Sequence, residues 1–217
     1  MHKPLAAIVC NSTWNAFNFR SNLIKKLLNE NFRVVLICPS DEYLECVTGL
    51  GCEHIEVNMS ATSKNVISNF NLLISYYTVL RKLHPDIILT FSIKPNLYVS
   101  IISLFNGYPI ICNVAGLGQS LIKRNWLYYL IIFTYKFSVK FADHIMFQNH
   151  HDLAFFVDRN LTRRNCYSVL PGSGVDLERF SPNLKHNRAT KNKTLKFIMV
   201  SRLLKAKGVI EYLKAAK

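Results

Sequence analysis

The sequence lacks a glycine-rich phosphate fingerprint, paired cysteines and any uninterrupted apolar run of spanning length, and it is short of acidic side chains. Its 217 residues carry 13 Asp and Glu against 27 Lys and Arg, a formal net charge of +14. The excess is uneven: residues 1–120 hold 9 basic against 7 acidic side chains, and residues 121–217 hold 18 against 6. An anionic partner is therefore expected for the later part, whether lipid head groups, nucleotide phosphate or nucleic acid. No helix-turn-helix, RRM or zinc pattern appears, so nucleic acid is the partner not expected. The six cysteines (Cys10, Cys38, Cys46, Cys52, Cys112 and Cys166) form no CxxC pair, and neither a zinc site nor a redox dithiol is indicated. Cys10, Cys38, Cys112 and Cys166 lie in or beside apolar runs and are expected as small buried hydrophobes, in keeping with a reducing cytosol. The opening MHKPLAAIVC holds an apolar run of only six residues, shorter than a secretory signal needs. There is no internal repeat and no low-complexity tract.

What is present is alternation. Residues 5–10, 34–38, 54–57, 87–91, 110–114, 144–147 and 167–170 are short runs rich in Ile and Val with little polar alternation, the pattern of strands buried on both faces of a parallel sheet. Between them, residues 17–31, 41–50, 64–83, 96–105, 120–141 and 150–160 are of helical length. Repeated βα units predict an α/β fold, a Rossmann-like doubly wound parallel sheet. Pro39-Ser40-Asp41 is expected to cap one helix start, and His84-Pro85-Asp86 to stop another. Residues 171–195 are turn-rich and then basic and aperiodic, as an interdomain linker is. After it come the strand-like Phe197-Ile198-Met199-Val200, then Arg202, Lys207-Gly208 and a helix over 209–217. One whole domain plus the first βα unit of a second, truncated one is the expectation, with residues 195–200 left as an exposed, aggregation-prone edge. Two cations beside a helix start suit a diphosphate.

In open α/β sheets, ligands sit outside the carboxyl ends of the strands. The first such loop is Asn11-Ser12-Thr13-Trp14-Asn15, with Arg20 in the helix that follows. The absence of GxGxxG there removes the main support for a nicotinamide-dependent oxidoreductase. Amides and hydroxyls around one Trp suit a sugar, whose hydroxyls they bond and whose C–H side meets the aromatic face. The same residues suit helix capping with Trp14 as a staple, and at this point both readings stand. The fourth strand leads to Ser92-Ile93-Lys94-Pro95-Asn96, where Lys94 is placed to aim an ammonium into the cleft. The fifth leads to Ala115-Gly116-Leu117-Gly118, two positions with no Cβ to obstruct a ligand or a tight turn. In Gln148-Asn149-His150-His151-Asp152 the adjacent histidines diverge, so helix capping by Asn149 is expected rather than a metal cluster. Trp126, Tyr128, Tyr129, Phe133, Tyr135, Phe137 and Phe141, with Lys123, Arg124, Lys136 and Lys140 among them, suit either a crossover helix buried on the sheet or a segment bedded in a bilayer interface.

Gly174-Val175-Asp176-Leu177-Glu178-Arg179-Phe180-Ser181-Pro182 followed by Val200-Ser201-Arg202-Leu203-Leu204-Lys205-Ala206-Lys207-Gly208 resembles the domain junction of family 4 nucleotide-sugar glycosyltransferases of the GT-B fold. Thr90-Phe91-Ser92-Ile93-Lys94-Pro95-Asn96 and Ala115-Gly116-Leu117-Gly118 resemble the subset that builds bacterial surface polysaccharides on polyprenyl-diphosphate carriers. The resemblance implies an acceptor-binding domain over residues 1–170, a linker over 171–195 and the start of a nucleotide-sugar-binding domain over 196–217. It implies a glycosyltransferase of O-antigen or capsule assembly, retaining in configuration as family members usually are, and working peripherally on the cytoplasmic face of the inner membrane against anionic lipid. Arg202 and Lys207 match the basic pair that holds the donor diphosphate. Asn11, Ser12, Trp14, Asn15, Arg20, Ser92, Lys94, Asn96, Gly116 and Gly118 fall on the acceptor side. No cofactor or metal is expected, since two cations and a helix start stabilise the leaving diphosphate. The family's paired-glutamate motif is absent, so no catalytic residue is assigned and the chain alone is expected to be inactive. The alternatives are one subunit of a split glycosyltransferase, or a basic α/β domain that binds nucleic acid or a membrane surface.

Overall fold

A computed structural model describes residues 3–59, 65–116, 126–181 and 197–216. The chain divides into two compact units, Met1–Leu177 and Glu178–Lys217, so the division falls inside the stretch read as a linker.

The first unit is built on seven parallel strands: β1 (Leu5–Val9), β2 (Arg33–Cys38), β3 (Glu53–Glu56), β4 (Ile87–Phe91), β5 (Ile110–Val114), β6 (His144–Phe147) and β7 (Tyr167–Val169). Their spatial order is β3-β2-β1-β4-β5-β6-β7. The chain winds outward from β1 to β3, crosses back, and continues from β4 to β7, which puts the topological switch between β1 and β4. All five residues of β1, Leu-Ala-Ala-Ile-Val, are buried. That is why the central strands read as unbroken apolar runs rather than as alternations.

Six helices connect them: α1 (Thr13–Asn29), α2 (Leu44–Thr48), α3 (Val66–Leu83), α4 (Ile93–Asn106), α5 (Trp126–Phe137) and α6 (His150–Asp158). Two cores follow from the winding. On one side of the sheet Ala16, Ile24 and Val47 of α1 and α2 pack on Ile8, Leu36 and Phe91. On the other, Tyr76, Val99, Tyr135 and Phe156 of α3 to α6 pack on Val9, Ile88, Cys112 and Ile145.

Local chemistry sets the helix ends. The Ser12 hydroxyl accepts from the Asn15 amide at 3.1 Å at the start of α1. The Asn149 side chain accepts from the Asp152 amide at 2.8 Å and caps α6, the role expected of it. His84 ends α3 in the left-handed conformation (φ 46°), just before Pro85 bars continuation.

Three local expectations are corrected. Pro39-Ser40-Asp41 does not cap α2, which begins at Leu44 with no side-chain cap. The Asp41 carboxylate turns instead to the start of α1, accepting from the Trp14 amide at 2.9 Å and from the Thr13 hydroxyl, while its second bond of this kind, from the Tyr43 amide at 2.9 Å, closes its own turn. Cys166 is only half-buried, whereas Cys10, Cys38, Cys52 and Cys112 are buried. Phe197-Ile198-Met199-Val200 is not a strand. A strand needs a partner to receive its ladder bonds, and this segment pairs with none among the described residues.

The second unit contains a 3-10 turn, Lys205–Lys207, and α7 (Val209–Ala215), joined at Gly208 (φ 76°). The Tyr212 hydroxyl donates to the Phe197 carbonyl at 3.0 Å.

Candidate active site at the switch point

The carboxyl ends of β1, β4 and β5 gather most of the residues singled out from the sequence. Asn11 and Ser12 leave β1, and Trp14, Asn15 and Arg20 follow along α1. Ser12 is committed to capping. Trp14 is not a buried staple: it is 45% exposed, its ring edge-on to Phe19 with centroids 5.5 Å apart. The helix N-terminus is already occupied by Asp41. Burial pushes this carboxyl up, but the Thr13 hydroxyl and the Trp14 and Tyr43 amides outweigh burial and hold it below the usual carboxylate range. The first loop is thus closed to a phosphate in the manner of a dinucleotide fold.

Arg20 is 7% exposed, with its guanidinium carbon 4.1 Å from the centre of the Phe91 ring at the end of β4. Burial lowers its pKa. Its Nη1 has a long contact, 3.4 Å, with the Phe19 carbonyl, and its Nε has no hydrogen-bond partner. Asn11 Oδ1, Asn15 Oδ1 and Asn113 Oδ1 are likewise buried without partners. Among the described residues the one further buried side-chain atom of this kind is Ser103 Oγ on α4. Buried polar atoms are paired in nearly all folded proteins, so four orphans at one end of the sheet make this end the candidate site.

The β4–α4 connection is strained. Ser92 has φ 81° and ψ 163°, a region that only glycine enters without cost. Lys94 Nζ donates to Asn69 Oδ1 of α3 at 2.8 Å, and burial lowers its pKa. Asn96 does not line the crevice; it is 1% exposed, accepts from the Thr90 hydroxyl at 2.7 Å and donates to the Asn113 carbonyl at 2.9 Å. It locks β4, α4 and β5 together, which holds Asn113 in place. Gly116 has φ 149°, and a Cβ placed there would meet no heavy atom of the described residues within 4 Å. Gly118 lies outside the described residues. Among those residues no three His, Cys, Asp or Glu side chains gather as a metal site requires.

Three residues matter here for reasons that their local sequence does not give. Phe91, Asn113 and Asp41 acquire their roles through strand register and a contact across 28 positions. In the second unit Arg202 and Lys207 are both exposed, Lys207 ending the turn before α7.

Helix α5 divides by face. Tyr128, Ile131 and Tyr135 are buried, whereas Trp126, Tyr129, Phe133 and Phe137 are 71%, 62%, 60% and 56% exposed. Among the described residues no helix is long and apolar enough to cross a membrane.

A doubly wound parallel sheet, crossed at β1/β4 and bearing there amides, hydroxyls and a buried cation, defines a Rossmann-like domain with its candidate site at the switch point. The chain belongs to the glycosyl transferase 4-like family, whose pattern matches residues 9–149. It is 30% identical, over 92% of its own length and 56% of the relative's, to an N,N'-diacetylbacillosaminyl-diphospho-undecaprenol alpha-1,3-N-acetylgalactosaminyltransferase of Campylobacter jejuni. It is 26% identical, over 88% of the chain and 51% of the relative, to a UDP-Gal:alpha-D-GlcNAc-diphosphoundecaprenol alpha-1,3-galactosyltransferase of Escherichia coli. The chain thus spans about half the length of these curated relatives. Among solved structures, a glycosyltransferase of Rickettsia africae shares the fold with a TM-score of 0.59 at 13% identity, covering 83% of this chain and 46% of that one.

Proposed function

We propose that this chain is the acceptor-binding part of a glycosyltransferase that moves a hexosyl or N-acetylhexosaminyl group from a nucleotide sugar to a polyprenyl-diphosphate-linked saccharide during surface-polysaccharide assembly. The observation that carries this reading is the 30% identity, along 92% of the chain, to an enzyme named for an undecaprenyl-diphosphate-linked acceptor. The switch-point crevice supports it. Orphan amide oxygens of Asn11 and Asn15 accept from sugar hydroxyls, and the half-exposed Trp14 offers an aromatic face to the sugar's C–H side. In the second unit Arg202 and Lys207 hold the donor diphosphate, neutralising the charge that develops as it leaves without a metal ion.

The acceptor's lipid requires the protein to work at a membrane surface, and we assign it to the cytoplasmic face. The outward face of α5 is the contact: Trp126, Tyr129, Phe133 and Phe137 suit the interface, and Lys136 and Lys140 complement anionic lipid. Titration calorimetry with a short-prenyl diphospho-N-acetylhexosamine tests the reading. The 217-residue chain binds it, and Asn15→Leu weakens binding by about tenfold. Failure to bind any prenyl-diphospho-sugar refutes the acceptor role. Flotation with phosphatidylglycerol vesicles tests the contact: Phe133→Glu combined with Phe137→Glu abolishes it, and unchanged flotation refutes it.

A further inference from the structure

Arg20 is a buried positive charge to which the described residues supply no counter-charge. Every one of the chain's 13 Asp and Glu residues lies within the described segments, and none forms an ion pair with Arg20. Glu30, the nearest acid in sequence, pairs with Lys26, and Asp41 spends its carboxylate on Thr13, Trp14 and Tyr43. A guanidinium removed from water and left without an anion is unfavourable, and groups of this kind cluster where a ligand completes them.

The surroundings define what completes it. Phe91 and Asn113 are register partners on β4 and β5, so their side chains stand side by side on the same face of the sheet. Arg20 lies on the Phe91 ring. Arg20 Nε, a donor without an acceptor, and Asn113 Oδ1, an acceptor without a donor, therefore flank one aromatic ring. A neutral polyol satisfies the amide but leaves the cation unpaired. An oxyanion carrying a sugar satisfies both.

Resting on the acceptor-side reading of this crevice, we infer that Arg20, stacked on Phe91 beside Asn113, is an oxyanion-binding residue that takes a phosphate group of the seated ligand. A phosphate oxygen replaces the 3.4 Å contact to the Phe19 carbonyl with a charge-assisted bond, and Asn113 Oδ1 accepts from a neighbouring hydroxyl. The phosphate comes either from the acceptor's diphosphate linkage or from a free or nucleotide-borne diphosphate. The chemistry at Arg20 is the same.

The experiment titrates the full chain with inorganic pyrophosphate, a short-prenyl diphospho-N-acetylhexosamine, UDP-N-acetylglucosamine and a neutral octyl N-acetylglucosaminide. Calorimetry supplies affinities, and nitrogen-15 NMR follows the Arg20 Nε–H signal, assigned by its loss in Arg20→Lys. Pyrophosphate is expected to shift that signal. Arg20→Met is expected to weaken pyrophosphate and diphospho-sugar by at least about tenfold, Arg20→Lys by much less, and neither to alter the neutral glycoside. A stronger Arg20 dependence for the prenyl diphospho-sugar than for the UDP-sugar names the acceptor as the source, and the reverse names the donor. An unmoved Nε–H signal, or an equal loss for the neutral glycoside, overturns the inference. If pyrophosphate binds through Arg20 but neither the prenyl diphospho-sugar nor the octyl glycoside binds, the acceptor reading fails and the anion site stands. If glycosides bind and pyrophosphate does not, the anion site fails and the acceptor reading stands.

Discussion

Replacing Arg20 with Met should make the free protein more stable, the opposite of what loss of a buried, well-packed side chain normally does. The methionine side chain keeps most of the aliphatic volume between α1 and Phe91 and removes the charge. Two favourable contacts are given up. The stacking of the guanidinium over Phe91 at 4.1 Å contributes about 1–2 kcal/mol. The 3.4 Å contact with the Phe19 carbonyl exceeds normal hydrogen-bond length and contributes little. Against these stands the cost of holding an unpaired ion at 7% exposure, several kcal/mol even after relaxation. The balance is a gain of about 1–2 kcal/mol, or a rise in Tm of about 3–6 °C for a unit of this size. Urea unfolding followed by circular dichroism measures it, with an unchanged m-value showing that the native fold is kept. Arg20→Ala serves as the contrast, because it removes the stem as well and leaves a cavity. A fall of 1 kcal/mol or more in Arg20→Met, roughly the size of a lost satisfied hydrogen bond, would show that the guanidinium is already paired in the fold. The reasoning from an orphan charge would then be wrong.

Three further outcomes are expected. Ser92→Gly relieves a backbone conformation at φ 81° and ψ 163° and should stabilise by about 1–2 kcal/mol in the same assay, whereas Ser92→Ala should not; a destabilised Gly variant refutes the strain. Asp41 titrates below the ordinary carboxylate range in the folded chain, so its stabilisation is complete above the unfolded value of about 3.9 and is lost as pH falls through the lower folded value. Asp41→Asn should therefore cost about 1–2 kcal/mol near neutrality and flatten the acid limb of the stability curve, and an acid limb identical to the parent's would contradict this. Cys46 is the exposed thiol, while Cys10, Cys38, Cys52 and Cys112 are buried, with burial pushing Cys52 up to about 11. Peptide mapping after brief alkylation under native conditions should find Cys46 modified first, and prior labelling of Cys52 or Cys112 would refute the packing.

Sequence alone determined the architecture, because each strand at the centre of the sheet is buried on both faces and so leaves an apolar run that local reading detects. It also fixed the helix stop at His84-Pro85, where proline geometry is independent of context, and the family, through motifs whose residues are contiguous. Tertiary structure decided what the loops do. Ser12 and Trp14 stand in one pentapeptide, yet the first is spent on a cap and the ring of the second is left half-exposed, while Asp41, 28 residues beyond Thr13, takes the Thr13 hydroxyl and the Trp14 amide. Asn96 looks like a cleft residue in its motif and becomes a tie between strands, because Thr90 and Asn113 meet it only once β4 and β5 pair. Arg20 stands in the sequence only as a helix residue near the first loop, and packing on Phe91 makes it a buried charge with no ion pair among the described residues. Burial and register, which are properties of the folded chain, turn a polar side chain into a site.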